Sequence, residues 1–207
     1  RGLGDVYKRQ ETEFPDEQHS TITNEYRIED GYYKTIVTDP NGKRKISYSD
    51  VRENIVRLEQ FNKGKTLATR YWYSLLNEIT HVIDTEDNTT IVTYDTLGRR
   101  TSIDNPDSGL VEYGYDTAGN MIWKIDNNLR ELGQQIDYIY QYNRLTRVDF
   151  PENPSVVYHY GTSDTQYKQY NQAGRLWKIE DESGSKEFRY GALGQEEWVK
   201  QTINSLT

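Results

Sequence analysis

The clearest signal along the chain is a strict alternation of apolar and polar residues in short runs that end on tyrosine. TTIVTY (89–94), LVEYGY (110–115), QIDYIY (135–140), SVVYHY (155–160) and KEFRY (186–190) all follow it. One side of these runs carries Val92 and Tyr94, Val111, Tyr113 and Tyr115, Ile136, Tyr138 and Tyr140, Val156, Tyr158 and Tyr160, then Phe188 and Tyr190. The other side carries Thr93, Glu112, Asp137, His159 and Arg189. Period two is the signature of a half-buried strand, and a slip of one residue would bury the charges, so the pattern sets the register.

A turn signal follows each run. Residues 94–100 read YDTLGRR, 115–121 YDTAGNM, 170–176 YNQAGRL and 190–196 YGALGQE, with a weaker YQYNRL at 140–145. The acidic residue at the head of such a turn can accept a hydrogen bond from the N–H two residues on. The glycine takes the left-handed conformation of a type I turn closed by a bulge. The residues expected to build these turns are Tyr94, Asp95 and Gly98; Tyr115, Asp116 and Gly119; Tyr140 and Asn143; Tyr170, Asn171 and Gly174; Tyr190 and Gly194. Asn143 stands in for glycine because asparagine tolerates positive φ. A short strand comes next: HVID (81–84), TSID (101–104), WKID (123–126), TRVD (146–149) and WKIED (177–181). Polar loops such as NPDSG (105–109), PENPS (151–155) and DESGS (181–185) return the chain.

A unit of about 21 residues holding two strands and two short turns predicts an all-β, antiparallel meander of tandem hairpins. Its loops are too short for parallel crossovers. About 16 strands from residue 32 onward, at about 4.8 Å each, would span on the order of 75 Å. Sheets that wide twist or coil, so a spiral sheet is expected. YYKTIVTDPNGKRKISYSD (32–50) reads as a hairpin, and no segment predicts a long helix. VRENIVRLEQFN (51–62) is the one stretch that reads as either helix or strand; DVRENIVRLE (50–59) also aligns with DTAGNMIWKID as a degenerate turn and strand, and strand is the favoured reading. Residues 1–10 resemble a translated sequencing adapter, 11–30 read as a loose polar lead-in, 31–200 as the repeat sheet, and 201–207 as a truncated end.

Composition then limits the chemistry. The 207 residues include no cysteine, which excludes disulfides, thiol catalysis and Cys-ligated metal. A net charge of −8 argues against general affinity for nucleic acid or anionic membrane. Ile, Val, Leu and Phe amount to only about a fifth of the chain, close to the disorder boundary. Eighteen tyrosines and four tryptophans restore the capacity for burial and argue for a folded chain.

Searches for catalytic patterns fail on spacing. Gly64-Lys65-Thr66 lacks the upstream glycine of a P-loop, and His19, His81 and His159 stand far apart. Asp84, Glu86, Asp87 and Asn88, or Asp104 and Asp107, offer oxygens to calcium but match no calcium loop, and solvated turns are the default. The recurring Asp84, Asp104, Asp126 and Asp149 read as turn caps, since repetition indicates architecture. No cofactor, no metal and no enzymatic activity are expected. Exposed aromatics beside Asp, Asn and Arg would also suit sugar rings, with Trp123 and Trp177 as candidate stacking residues.

The tandem YDTLGRR, YDTAGN, YNQAGRL and YNRLT units resemble the YD repeats of the RHS family over roughly residues 32–200. That resemblance implies part of a β-shell that encloses a toxic or other cargo polypeptide carried C-terminally on the same longer chain, secreted or at the surface of a bacterium. Related repeats occur in insecticidal toxin complexes and in teneurins. The alternative is a surface adhesion or carbohydrate-binding module. The DPxGxxxG-type motif that ends many such shells is not found in this sequence, so the family's self-cleaving aspartates correspond to no residue of it.

Overall fold

A computed structural model describes residues 8–14, 20–62 and 64–204. Seventeen strands form one antiparallel sheet: β1 Lys8–Glu13, β2 Thr21–Glu29, β3 Tyr32–Thr38, β4 Arg44–Ser49, β5 Ile55–Asn62, β6 Lys65–Tyr73, β7 Ile79–Ile83, β8 Thr89–Tyr94 and β9 Arg100–Asn105. It continues with β10 Gly109–Tyr115, β11 Met121–Ile125, β12 Ile136–Gln141, β13 Arg144–Asp149, β14 Val156–Tyr160, β15 Leu176–Asp181, β16 Gly184–Tyr190 and β17 Glu196–Ile203. The short helices α1 (Asn127–Glu131) and α2 (Thr165–Lys168) sit in connections. The architecture is the expected all-β meander. Tyr32 begins the third strand, so fifteen of the strands fall where about sixteen were anticipated.

The lead-in is more ordered than its polarity suggested. Residues 11–30 hold the end of β1 and all of β2, and Lys8–Glu13 pairs with Thr21–Tyr26 through six residue pairs. Ile22, Tyr26 and Ile28 share one face of β2, interrupted by Asn24 among otherwise polar residues, and β2 gains a full ladder of seven pairs against β3. A neighbouring strand supplies the order that composition does not. Residues 1–7, within the adapter-like stretch, and 205–207 lie outside the described residues.

The chain divides into two compact units, residues 1–110 and 111–207. In the first, Ile36 and Ile46 face each other across β3 and β4 and are almost fully buried. Glu59 lies beside Ile46 on β5, also buried, and is neutralised by Arg57 on the same face. In the second, Val148 and Phe188 are buried on the tyrosine face. Burial lifts the Tyr138 hydroxyl above its usual range, helped by the neighbouring Tyr140, Tyr113 and Tyr158. Register places Tyr138 opposite Val148 and Val148 opposite Val156, as the alternation required.

Candidate functional site

Most of the hairpins turn through the same five-residue device. Asp95 N–H donates to the Arg99 carbonyl at 2.9 Å, and Gly98 N–H donates back to the Asp95 carbonyl at 3.1 Å. The Asp95 carboxylate accepts from the N–H groups of Leu97 and Arg99, both at 2.9 Å. Gly98 sits at φ +75°. Asp116 with Gly119 repeats the turn, its carboxylate accepting from Ala118 and Asn120. Gly191 with Gly194 keeps the backbone bonds without a carboxylate. The bond to the Arg99 N–H holds the Asp95 carboxyl below the usual carboxylate range, and the Asn120 amide does the same for Asp116.

Several turns carry the geometry without the motif. Asp50, Ser74, Asp39 and Asp84 head identical turns, each accepting from the N–H groups two and four residues on. Glu53, Asn77 and Asp87 occupy the glycine position at φ +66°, +64° and +62°. A sequence search keyed on glycine passes over YSLLNE at 73–78. The visible signal there is the spacing of Tyr73 to Tyr94, equal to that of Tyr94 to Tyr115. Asn143 does take positive φ (+57°), but Tyr142 beside it does too (+52°). The weak copy is therefore a two-residue hairpin of the primed type.

The unit expected at Tyr170 and Asn171 needs correction. The strand ends at Tyr160, and Gly161 fills the aspartate slot: its N–H donates to the Arg175 carbonyl at 2.9 Å, and Gly174 N–H donates to Gly161 at 2.7 Å. Residues 162–171, with α2, are an insertion between the two halves of a Tyr160-Gly161…Gly174-Arg175 turn. A side chain at 161 would meet the Gln172 carbonyl at 2.3 Å, which explains the loss of the aspartate. Tyr170 lies outside the strand, against Arg189, and Asn171 donates from its amide to the Tyr190 carbonyl at 2.9 Å.

The recurring acids divide by register. Cross-strand pairing puts Ser102, Trp123, Arg147 and Lys178 in one slot, so WKID at 123–126 is shifted one residue from TSID and TRVD. Asp84 heads a turn, and Asp126 caps α1 by accepting from Leu129 N–H at 3.0 Å. Asp104 lies within β9, where Asn105 caps the turn in its place, and Asp149 takes the Ser155 hydroxyl and Arg147. No group of three or more His, Asp or Glu residues that could hold a metal occurs among the described residues.

What the tyrosines do is visible between hairpins. Strands within a hairpin pair up to the turn, but neighbouring hairpins separate as they approach it. Pairing of β7 with β8 stops at His81 and Ile91, and β11 meets β12 through two residue pairs only. The turn tyrosine crosses that gap. Tyr73 donates its hydroxyl to the Ile55 carbonyl at 2.8 Å, Tyr94 to Ile79 at 2.9 Å and Tyr190 to Leu176 at 2.5 Å. Each acceptor is the first strand residue after the preceding turn. The residue after the turn glycine or asparagine adds a second tie: Arg144 lies over the Tyr160 ring at 5.5 Å and Arg175 over Tyr190 at 5.4 Å. Burial keeps the Tyr73 and Tyr190 hydroxyls protonated above the ordinary range.

The two candidate sugar-stacking residues are used internally. Trp123 lies over Gly114, where a Cβ would stand 2.0 Å from its indole nitrogen. Trp177 is wedged between His159 and Tyr167 at 5.8 and 5.6 Å.

These contacts define a tandem-hairpin β-repeat protein in which the turn tyrosines Tyr73, Tyr94 and Tyr190 fasten their hairpins to the ones before. No family model and no curated protein matches the sequence. Solved structures do match the fold. A crystal structure of TcdB2-TccC3-Cdc42 aligns at TM-score 0.65 and 16% identity, over 92% of this chain and 11% of that one. The Photorhabdus luminescens Tc holotoxin pore aligns at TM-score 0.61 and 16% identity, over 90% and 11%. This chain thus spans about a ninth of the length of the chains it matches, and the likeness is one of fold. Its neighbours are Tc toxin structures, in agreement with the YD-repeat resemblance.

Proposed function

We propose that this chain is a non-catalytic wall segment of a YD-repeat shell, secreted or surface-associated, that encloses a cargo polypeptide carried on the same longer chain. The observation that carries the reading is the tyrosine fastening. Tyr73, Tyr94 and Tyr190 each make the same contact with the preceding hairpin, a recurring tie that suits a wall extended by adding units. The fold shared with Tc toxin structures supports it. The side chains around the turns are consumed in hydrogen bonds to their own backbone, which suits scaffolding rather than proton transfer.

The test is protease protection of the polypeptide encoded together with these repeats. Sequestration predicts that it resists digestion while the repeats are intact, and becomes sensitive once they unfold in denaturant. Digestion at the rate of the isolated polypeptide would refute enclosure.

A further inference from the structure

Within the first unit, β5 and β6 stop pairing at Arg57 and Arg70, and the strands part toward their turns. An open groove of about 510 Å³ lies there, lined among others by Asp30, Tyr32, Tyr48, Arg57, Arg70 and Trp72. We propose that this groove binds an acidic sugar, such as a hexuronate or sialate unit of a glycan.

Three observations converge. Arg57 and Arg70 are directly opposed across β5 and β6, which brings two guanidinium groups to one groove. Each guanidinium spends one nitrogen on a carboxylate outside the pair, Arg57 on Glu59 and Arg70 on Asp87. Their remaining N–H donors have no hydrogen-bond partner among the described residues, and both side chains are about half exposed. Two planar forks side by side suit the two oxygens of a carboxylate.

Trp72 is the second element. It is 45% exposed and stands two residues from Arg70 on the same strand face, steadied edge-on by His81 at 6.5 Å. An indole held this way offers its ring to the C–H face of a pyranose. Asp30 is the third. Its carboxylate has no partner among the described residues and provides an acceptor for sugar hydroxyls, as does the 41% exposed Tyr32. The other acids of the groove are engaged, Glu29 by Lys34 at 2.8 Å and Asp50 by its own turn. An acidic peptide fits less well, because an extended peptide needs a free strand edge and the Tyr73 hydroxyl already closes the gap onto Ile55. The groove volume suits one or two sugar rings. None of this depends on the shell reading.

The experiment is saturation-transfer NMR and calorimetry on the 207-residue chain, with tri-galacturonic acid and sialyllactose as probes, lactose as the neutral control and tri-glutamate as the acidic peptide. Saturation transfer to an acidic sugar but not to lactose is expected. Arg57→Gln and Arg70→Gln should each weaken that binding about tenfold. Trp72→Ala should abolish transfer to the ring protons, with its melting curve recorded to confirm folding. If that variant is unfolded, the two arginine variants decide. The proposal is overturned by no transfer to either acidic sugar, by equal binding of lactose, by unchanged affinity in both arginine variants, or by tri-glutamate binding in place of the sugars.

Discussion

Removing a single oxygen tests the fastening between hairpins. Tyr94→Phe keeps the ring and deletes only the hydroxyl that donates to the Ile79 carbonyl at 2.9 Å. The bond is partly buried and bridges β7 and β8 where their ladder has ended, so no backbone donor replaces it. Water reaches a half-exposed carbonyl in part, which places the loss near the middle of the usual range for an intramolecular hydrogen bond, about 1 kcal/mol. For a chain of this length that is about 2–4 °C in melting temperature. Tyr73→Phe removes the matching bond to Ile55, with no shared partner, so the double variant should lose about 2 kcal/mol. Tyr142→Phe is the control: that side chain is 91% exposed, and no change is expected. Urea unfolding followed by tryptophan fluorescence and far-ultraviolet circular dichroism reads all four. If Tyr94→Phe and Tyr73→Phe unfold at the wild-type midpoint, the hydroxyls do not join the hairpins and the account of the repeat fails.

Three further outcomes can be checked on the same chain. Gly119→Val forces a β-branched residue to φ +91° with nothing within 4 Å of the new Cβ, so its cost is backbone strain alone, at least about 1 kcal/mol. Gly98→Val, at φ +75°, meets only the tip of the flexible Glu78 side chain at 2.7 Å, which can swing aside, so its unfolding midpoint should fall by a similar amount; a wild-type midpoint in either variant would refute the turn assignment. Tyr73, Tyr140 and Tyr190 have raised pKa values, so their contribution is whole below the ordinary value of 10.0 and lost as pH climbs through the raised ones. Asp84, Asp95 and Asp116 have lowered ones, and their contribution holds above 3.8 and fades as pH drops through the lowered values. Melting temperature against pH should therefore decline at both ends, and a flat alkaline limb would show that the tyrosine hydroxyls contribute nothing. Excising 162–171 should leave a Tyr-Gly-Gln-Ala-Gly-Arg turn and an intact sheet, at a loss of about 2 kcal/mol from the Tyr190 hydrogen bonds and the Tyr170 contact. Collapse of the strand signal in circular dichroism would show that the insertion is part of the turn.

Alternation and turn chemistry make most of the sheet legible in the sequence. Tyr138, Val148 and Val156 could be aligned because a period of two leaves one register that keeps Asp137 and Arg147 out of the apolar face. The turn at Tyr170 was misplaced for an equally physical reason. YNQAGR has the right letters, but the hydrogen bonds that close a turn depend on which residue ends the strand, and local spacing cannot see an insertion returning to Gly161. The shifted WKID misleads through its letters alone: the same bulge follows Tyr94 and Tyr115, and Trp123 pairs with Gly114 as Ser102 pairs with Thr93, so matching WKID to TSID letter by letter displaces it by one residue. The tyrosine bridges were also invisible, since alternation shows which face a ring occupies and not which carbonyl its hydroxyl reaches. Residue type alone singles out Trp123 and Trp177, whereas accessibility falls to Trp72, which lies on a strand without a YDxxG turn.

Joining neighbours by a phenol rather than by a continuous backbone ladder leaves little of each module under selection. A tyrosine at the strand end, a carbonyl opposite it and a tight reversal suffice, and the remaining positions are free to drift, to accept an excursion such as 162–171, or to trade glycine for Glu53 or Asp87. The fold of such an array is carried by spacing more than by most of its letters, which is how a chain with one residue in six in common with its solved neighbours still overlays on them along nine-tenths of its own length.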